Sequence, residues 1–222
     1  MLIIKSFMKI HTKICGLKTL EDINTACDAG ADYIGFIFYE KSIRFIEPRS
    51  AAKLLETSFK KTKKIAVLVN PSDNLLKSVI SIVPIDGIQL HGNESPERVK
   101  NIKNKTSLFT IKGISINDEK DVANSHRYEN IVDMLLFDAK PPSKNSSPGG
   151  NAVSFDWKLL SNERWNCPWF LSGGLNSENV ENAIITSNAQ YVDVSSGVEK
   201  TFGTKDPEKI KQFISITSKI IK

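Results

Sequence analysis

Two reactive side chains directly follow apolar runs of this sequence. Cys15 follows residues 9–14, and Asp138 follows the run Met134-Leu135-Leu136-Phe137. A cysteine in such a place is often an inert small hydrophobe, and Asp138 could simply cap its strand or pair with Lys140. A carboxylate that closes an apolar run nevertheless needs a compensating role, because burial of an unpaired charge is costly. Together the two groups could withdraw one proton and donate another, which is general acid–base chemistry.

Two short loops leave backbone amides open to an anion. Ser172-Gly173-Gly174-Leu175 precedes a helix predicted to begin near Ser177, and Ser195-Ser196-Gly197 follows the last apolar run. Glycine has no Cβ to obstruct an approaching ligand, and helix N-termini favour negative charge. A single pair of glycines could merely form a tight turn, but two such loops favour a phosphate site. The residues predicted to bind phosphate are Gly173, Gly174, Ser195, Ser196 and Gly197.

The elements that must position these residues alternate along the chain. Helical patterns, several with start signals such as Thr19, Pro48, Ser72 and Ser95, separate eight short apolar runs. The runs are residues 9–14, 33–38, 65–69, 87–90, 108–112, 134–137, 169–171 and 191–194. Such alternation over 222 residues predicts an α/β protein with one closed (β/α)8 TIM barrel. A flavodoxin-like sheet is the alternative, although no GxGxxG or GxxxxGK[ST] motif follows the first run.

The chemistry of a barrel lies at the carboxyl ends of its strands. By this rule, five candidate residues lie together at the carboxyl-terminal rim of the barrel. The two glycine-rich loops follow the last two strands, where barrels usually bind phosphate. Cys15 and Asp138, from strands on different sides of the barrel, could then flank a small substrate. The rim residues are Cys15, Arg44, His91, Asp138 and Asp193.

The amino-acid composition indicates the cellular compartment and excludes some classes of binding partner. The three cysteines at 15, 27 and 167 form no CxxC pair, which argues against a disulfide framework or a zinc site and favours reduced thiols in a cytoplasm. We find no signal peptide and no apolar stretch long enough to span a membrane. The net charge is +5, but the densest lysine run, residues 60–64, is interpreted as a solvated loop because no aromatic residues interleave with it. We therefore expect no membrane and no nucleic-acid partner.

Several motifs, in this order, resemble those of the phosphoribosylanthranilate isomerase family. The resemblance spans about residues 9–221, and its most specific part is Asp193-Val194-Ser195-Ser196-Gly197-Val198-Glu199 followed by Gly203-Thr204-Lys205-Asp206. The other blocks are KICGL from Lys13, GADYIGFIF from Gly30, QLHG from Gln89, FDW from Phe155 and SGGL from Ser172. On this basis the barrel domain is predicted to span residues 9–222, after an N-terminal extension of residues 1–8.

The resemblance implies an Amadori rearrangement in tryptophan biosynthesis, with no metal and no cofactor. N-(5-phosphoribosyl)anthranilate would become 1-(2-carboxyphenylamino)-1-deoxyribulose 5-phosphate. Asp138 would protonate the ribose ring oxygen as general acid, and Cys15 would remove the C2′ proton as general base. Lys13 shares the strand face of Cys15 and is expected to lower the pKa of its thiol.

The resemblance also assigns substrate contacts. Arg44 would bind the anthranilate carboxylate, although a surface ion pair with Glu47 is the alternative. His91 would line the pocket or bond to a neighbouring backbone group, and Asp193 would organise the phosphate loop or cap the helix after it. The chain departs from the family pattern at Ile43, at residues 149–152 (GGNA in place of GGTG) and at Phe202.

Two other functions are considered. Indole-glycerol-phosphate synthase would share the phosphate site, but it would call for catalytic lysine and glutamate residues at strand ends, which Cys15 and Asp138 fit poorly. A phosphosugar-binding barrel without catalysis is the alternative from another class. The expected partner is a small phosphoribosyl substrate, and the sequence is compatible with a monomer or a homodimer.

Overall fold

Eight parallel strands close into a barrel in the computed structural model, which describes residues 9–56, 61–140, 149–150 and 154–220. Each strand pairs with the next in chain order, and β8 pairs with β1. The strands are β1 (His11–Cys15), β2 (Tyr33–Ile37), β3 (Lys63–Leu68), β4 (Gly87–Leu90), β5 (Phe109–Ile116), β6 (Met134–Ala139), β7 (Trp169–Leu171) and β8 (Tyr191–Val194). The predicted barrel is confirmed, and the flavodoxin-like alternative is wrong because an open sheet has two edge strands, whereas every strand of this barrel has a neighbour on both sides.

Helices cover the outside of the barrel and follow the strands in turn. They are α1 (Leu20–Asp28), α2 (Pro48–Leu54), α3 (Asp73–Ile82), α4 (Pro96–Thr106), α5 (Glu119–Ser125), α6 (Lys158–Ser161), α7 (Val180–Ser187) and α8 (Pro207–Lys219). The side chains of Thr19, Ser72 and Ser95 accept backbone N–H bonds at three helix starts, as predicted. After β8, the short strands β9 (Glu199–Thr201) and β10 (Thr204–Lys205) form an antiparallel hairpin.

Two predictions of local structure are wrong. The helix expected near Ser177 begins at Val180, because Asn176 Oδ1 accepts from the amides of Glu178 and Asn179 and holds these residues in a turn. Lys63 and Lys64, taken for part of a loop, begin β3, where parallel pairing with β2 extends the strand toward its N-terminus.

Alternate strand residues fill the barrel interior. Tyr33 of β2 and Phe170 of β7 contact each other edge to face, with ring centroids 5.2 Å apart. Because β2 and β7 are not neighbours, this contact crosses the interior. Leu136 belongs to the same buried cluster, and side chains two residues apart share a strand face, so Asp138 also points inward near the carboxyl end of β6.

Some predictions concern residues beyond those described. The proposed extension, residues 1–8, and Asn151 and Ala152 of the altered loop lie outside the described residues, so the domain limits stay a prediction. Across the part of the chain that the structure describes, no helix combines the length and hydropathy needed to cross a bilayer.

Candidate active site

Cys15 lies buried at the end of β1, with Lys13 beside it on the same strand face. Cys15 is 5% exposed and Lys13 is 0% exposed. A Cβ added to Gly35 of the neighbouring strand would lie 2.9 Å from Cys15 Sγ and 3.3 Å from Lys13 Nζ. Glycine at position 35 therefore leaves the room in which the thiol and the ammonium group meet.

Lys13 joins the thiol to Asp193 of β8. Lys13 Nζ donates to Asp193 Oδ1 at 2.9 Å, and Ser172 Oγ makes a long contact of 3.5 Å to Asp193 Oδ2. Burial would lower the pKa of Lys13, but attraction to Asp193 and to Cys15 outweighs it and raises the pKa. Asp193 thus neutralises a buried lysine, and its predicted role in organising the phosphate loop or capping the helix after it stays a prediction.

The predicted lowering of the Cys15 pKa is wrong in its net direction. Burial raises the pKa of the thiol, and Asp193 adds to this effect. Lys13 acts as expected, since its charge and hydrogen bond lower the pKa, and Lys205 acts in the same sense, but burial outweighs both. Cys15 is therefore harder to ionise than a free cysteine, and Lys13 limits the cost of forming the thiolate.

Asp138 is 5% exposed at the end of β6 and is held by two contacts. Its Oδ1 accepts from the Ala139 amide at 2.9 Å, and its Oδ2 lies 3.2 Å from His91 Nε2. The alternative partner Lys140 is not among these contacts. The other nitrogen of His91, Nδ1, lies 2.9 Å from Gln89 Nε2, so the ring contacts side chains rather than the neighbouring backbone group of the alternative. Its place in the lining of the pocket stays a prediction.

Arg44 lies in a buried ionic cluster that also links two loops. Its Nε and Nη2 donate to the two carboxylate oxygens of Glu199 at 2.6 and 3.0 Å. Lys205 Nζ donates to the same carboxylate at 3.0 Å, and the Gly203 amide donates to it at 2.9 Å. The suggested partner Glu47 is thus wrong. Two cationic side chains share one carboxylate, so the cluster keeps one positive charge for an anionic ligand.

Burial and attraction within the cluster act in opposite directions on the pKa of Glu199 and on that of Lys205. Burial would raise the pKa of Glu199, but the hydrogen bonds and charges of Arg44 and Lys205, together with the Gly203 amide, lower it to about 2. Burial lowers the pKa of Lys205, and its attraction to Glu199 only partly opposes this. Glu199 is therefore the ionised centre of the cluster at any physiological pH.

Gly149 and Gly150, in the loop after β6, lie against the predicted acid and Arg44. A Cβ added to Gly149 would lie 2.8 Å from His91 Nε2 and 2.9 Å from Asp138 Oδ2. The Gly150 carbonyl accepts from Arg44 Nη2 at 3.3 Å. A side chain at position 149 would thus intrude between the loop and the acid.

The two glycine-rich loops meet, as the phosphate prediction requires. An added Cβ at Gly197 would collide with the Leu175 carbonyl, so the loops after β7 and β8 pack backbone to backbone. The first amides of the 3-10 helix Ser196–Val198 have no partner within that helix. The Ser195 hydroxyl is committed elsewhere: it donates to the Cys15 carbonyl at 3.1 Å and contacts Lys205 Nζ at 3.3 Å.

The structure thus gathers the predicted residues at one end of the barrel and adds members that the sequence analysis missed. Glu199 and Lys205 stood in the most specific motif, and Gln89 preceded His91, but no role was assigned to them. Within the described residues, no three His, Cys, Asp or Glu side chains are arranged to hold a metal ion.

Comparison with known proteins identifies relatives over nearly the whole chain. A family profile described as N-(5'phosphoribosyl)anthranilate (PRA) isomerase matches residues 12–216. The N-(5'-phosphoribosyl)anthranilate isomerase of Rhizobium rhizogenes is 48% identical over 206 residues, which cover 93% of this chain and 93% of the relative.

Solved structures agree with the sequence relatives. The phosphoribosyl anthranilate isomerase of Thermotoga maritima superposes with a TM-score of 0.84 at 36% identity, covering 95% of this chain and 100% of that one. A phosphoribosyl anthranilate isomerase in complex with reduced 1-(o-carboxyphenylamino)-1-deoxyribulose 5-phosphate gives a TM-score of 0.80 at 33% identity, with coverage of 95% and 100%.

Proposed function

The chain belongs to the N-(5'-phosphoribosyl)anthranilate isomerase family, and we propose that Cys15 and Asp138 are the base and the acid of its reaction. It is an intramolecular aldose–ketose type isomerase of tryptophan biosynthesis. It converts N-(5'-phosphoribosyl)anthranilate into 1-(2-carboxyphenylamino)-1-deoxyribulose 5-phosphate by an acid/base-catalysed Amadori rearrangement. The relatives support this catalytic function over a phosphosugar-binding barrel without catalysis.

One observation carries the assignment of the two residues. Cys15 and Asp138 are both about 95% buried, at the carboxyl ends of β1 and β6, and between those strands lie β7 and β8 with the paired phosphate loops. A substrate whose phosphate lies between these loops would present its ribose to both side chains. General acid–base catalysis needs this arrangement, because each proton must move within hydrogen-bond reach.

The proposed steps follow from the two environments. Asp138 gives its proton to the ribose ring oxygen, the bond from C1′ to that oxygen breaks, and an iminium ion forms. The iminium acidifies the C2′ proton, so that Cys15, although harder to ionise than a free cysteine, is a sufficient base. Lys13 stabilises the thiolate, because its positive charge lies beside the thiol and lowers the pKa of Cys15. The resulting enolamine tautomerises to the ketone.

Substrate recognition is proposed for the surrounding groups. The amides of Gly173, Gly174, Ser196 and Gly197, with the backbone of Ser195, bind the phosphate. Arg44 binds the anthranilate carboxylate with the part of its guanidinium that Glu199 does not occupy. His91 and Asp193 act through the acid and through Lys13 rather than by direct contact with the substrate.

Turnover of the isolated protein tests this proposal. We expect loss of fluorescence of freshly prepared phosphoribosylanthranilate with the wild type, and kcat lower by about 10²-fold or more in Cys15→Ser and in Asp138→Asn. Cys27→Ser and Asp28→Asn are matched controls, because both residues lie on α1, away from the rim. Near wild-type turnover in both rim variants would exclude the assignment.

We further propose that the protein works in the cytoplasm, as a monomer or a homodimer. The three cysteines form no disulfide, which supports a location in the reducing cytoplasm. Fractionation of cells that express the chain tests this location. A monomer and a homodimer are both compatible with the proposed site, and light scattering distinguishes them.

A further inference from the structure

Gln89 is a buried amide that the proposed mechanism does not use. It is 1% exposed on β4, and its register partners on β3 and β5 are the apolar residues Val67 and Ile111. Its Nε2 contacts His91 Nδ1 at 2.9 Å, whereas its Oε1 has no hydrogen-bond partner among the described residues. Burying a polar side chain among apolar residues costs free energy unless the side chain is hydrogen-bonded. The contact with His91 therefore offsets the cost of burying this amide.

The His91 ring connects this amide to the acid. Its Nδ1 faces Gln89, and its Nε2 lies 3.2 Å from Asp138 Oδ2. An added Cβ on Gly113 would collide with the ring, and one on Gly149 would lie 2.8 Å from Nε2. Two glycines thus hold the ring between them, with one nitrogen on the amide and the other on the carboxyl group.

Among the described residues, two other cationic side chains near the ring are held by carboxylates. Lys112 of β5 donates to the Gly113 and Leu90 carbonyls and forms a 3.0 Å ion pair with Glu94, from the loop after β4. Arg44, which reaches the Gly150 carbonyl, is paired with Glu199. The contacts of the His91 ring with Gln89 and Asp138 differ from these, because their donor and acceptor depend on which ring nitrogen carries the proton.

We propose that Gln89 and His91 are positioning residues that control whether Asp138 holds the proton it donates; this rests on the proposed role of Asp138 as the acid. A glutamine amide has a donor end and an acceptor end of nearly equal shape, and a neutral histidine has one donor and one acceptor nitrogen. The two ends of an amide can exchange places by rotation, so either can face His91 Nδ1.

Each orientation of the amide matches one proton state of the acid. When Gln89 Nε2 donates to Nδ1, the ring carries its proton on Nε2 and donates to an ionised Asp138. When Gln89 Oε1 accepts from Nδ1–H, the Nε2 lone pair accepts from the protonated carboxyl group, which is the loaded acid. The loaded state holds one more proton, and this is the proton given to the ring oxygen.

The proton balance closes within one turnover. The substrate gains a proton at the ring oxygen from Asp138 and loses one at C2′ to Cys15. The thiol then protonates C1′ of the enolamine, and the enol hydroxyl gives up its proton as the ketone forms. That proton restores the loaded pair of His91 and Asp138, and the amide of Gln89 follows by rotation.

Nitrogen NMR of the histidine rings tests the tautomer directly and does not depend on turnover. The chain has three histidines, so the His91 signals can be assigned by their loss in His91→Asn. In Gln89→Glu the added carboxylate only accepts, so we expect His91 Nδ1 to stay protonated to a pH about one unit higher than in the wild type. In Gln89→Met the Nε2–H tautomer should extend to lower pH. Gln212→Glu, on the exposed face of α8, is the matched control and should change nothing.

Kinetics connect the tautomer to the acid. The alkaline limb of kcat/KM should move up in Gln89→Glu and down in Gln89→Met, with KM within about twofold of the wild type because Gln89 is only 1% exposed and acts through His91. His91 spectra that are identical in wild type and both variants would overturn the proposal, as would a moved tautomer with an unmoved alkaline limb. A wild type without turnover would instead refute the proposed function, and the spectra would still decide the role of Gln89.

Discussion

Glu199→Gln should destabilise the protein strongly, because Glu199 is the only carboxylate between Arg44 and Lys205 in the described ionic cluster. The carboxylate accepts from Arg44, Lys205 and the Gly203 amide, all at 3.0 Å or less. Glutamine has the same shape, but it carries no charge and presents an amide NH2 to groups that are themselves donors. The substitution therefore removes the charge of the cluster centre while leaving its volume unchanged.

The lowered pKa of Glu199 gives the size of the expected loss in the free energy of unfolding. A carboxyl group whose pKa falls from 4.5 in its ordinary state to about 2 in the folded protein stabilises that protein at any pH above 4.5. Each pH unit between the two values is worth about 1.4 kcal/mol, so the full contribution is about 3 kcal/mol at pH 7. The contribution is lost as the pH falls through the folded value, and about 2 kcal/mol of it remains at pH 3.5.

Urea unfolding of the wild type and of Glu199→Gln at pH 7 and pH 3.5 measures both values. Glu208→Gln is the matched control, because Glu208 pairs with Lys211 at the exposed start of α8, where water screens the pair and its contribution to stability is small. A loss at Glu199 no larger than that at Glu208, or a loss that does not shrink with acid, would refute the reasoning.

Three further changes probe the base, the phosphate loops and the carboxylate contact. The alkylation rate of Cys15, followed by peptide mass spectrometry, should rise with pH to a midpoint above that of a free cysteine, because burial raises its pKa; Lys13→Met should move the midpoint higher still, and an unmoved midpoint would exclude Lys13. Gly197→Ala should raise KM by about tenfold or more, with a smaller change in kcat, because the new Cβ collides with the Leu175 carbonyl and separates the loops; an unchanged KM would place the phosphate elsewhere. Arg44→Lys should also raise KM by about tenfold, because an ammonium group cannot hold both oxygens of Glu199 and still offer a free Nη1 to the substrate carboxylate, and steady-state kinetics would show it.

Local patterns predicted most of the fold. Buried parallel strands are short apolar runs between capped helices, and these features depend on residues close in sequence. Errors occurred where a neighbouring element decided the outcome. β5 continues to Ile116 rather than ending near residue 112, because its pairing with β6 extends as far as Ala139. Asn176 delayed the start of α7 through side-chain bonds that the Ser177-Glu178 pattern did not indicate.

The site was predicted in position but not in its connections. The strand-end rule located Cys15 and Asp138, whereas the partners of the other rim residues lie far away in sequence. Arg44 and Glu199 are separated by 155 residues, and Lys13 and Asp193 by 180. Such pairs form only when the barrel closes and brings β8 and the loop after it against β1 and the loop after β2.

For Cys15 and Asp138, the positions at the strand ends could be predicted from the sequence, because periodicity and strand length are local properties. The surroundings of each group, in contrast, depend on contacts that form when the barrel closes. The thiol is harder to ionise because closure of the barrel removes it from water, and this desolvation exceeds the attraction of Lys13. The acid is linked to Gln89 through His91 because the ring, directly after β4, lies over Gly113 of β5 and reaches Asp138 at the end of β6.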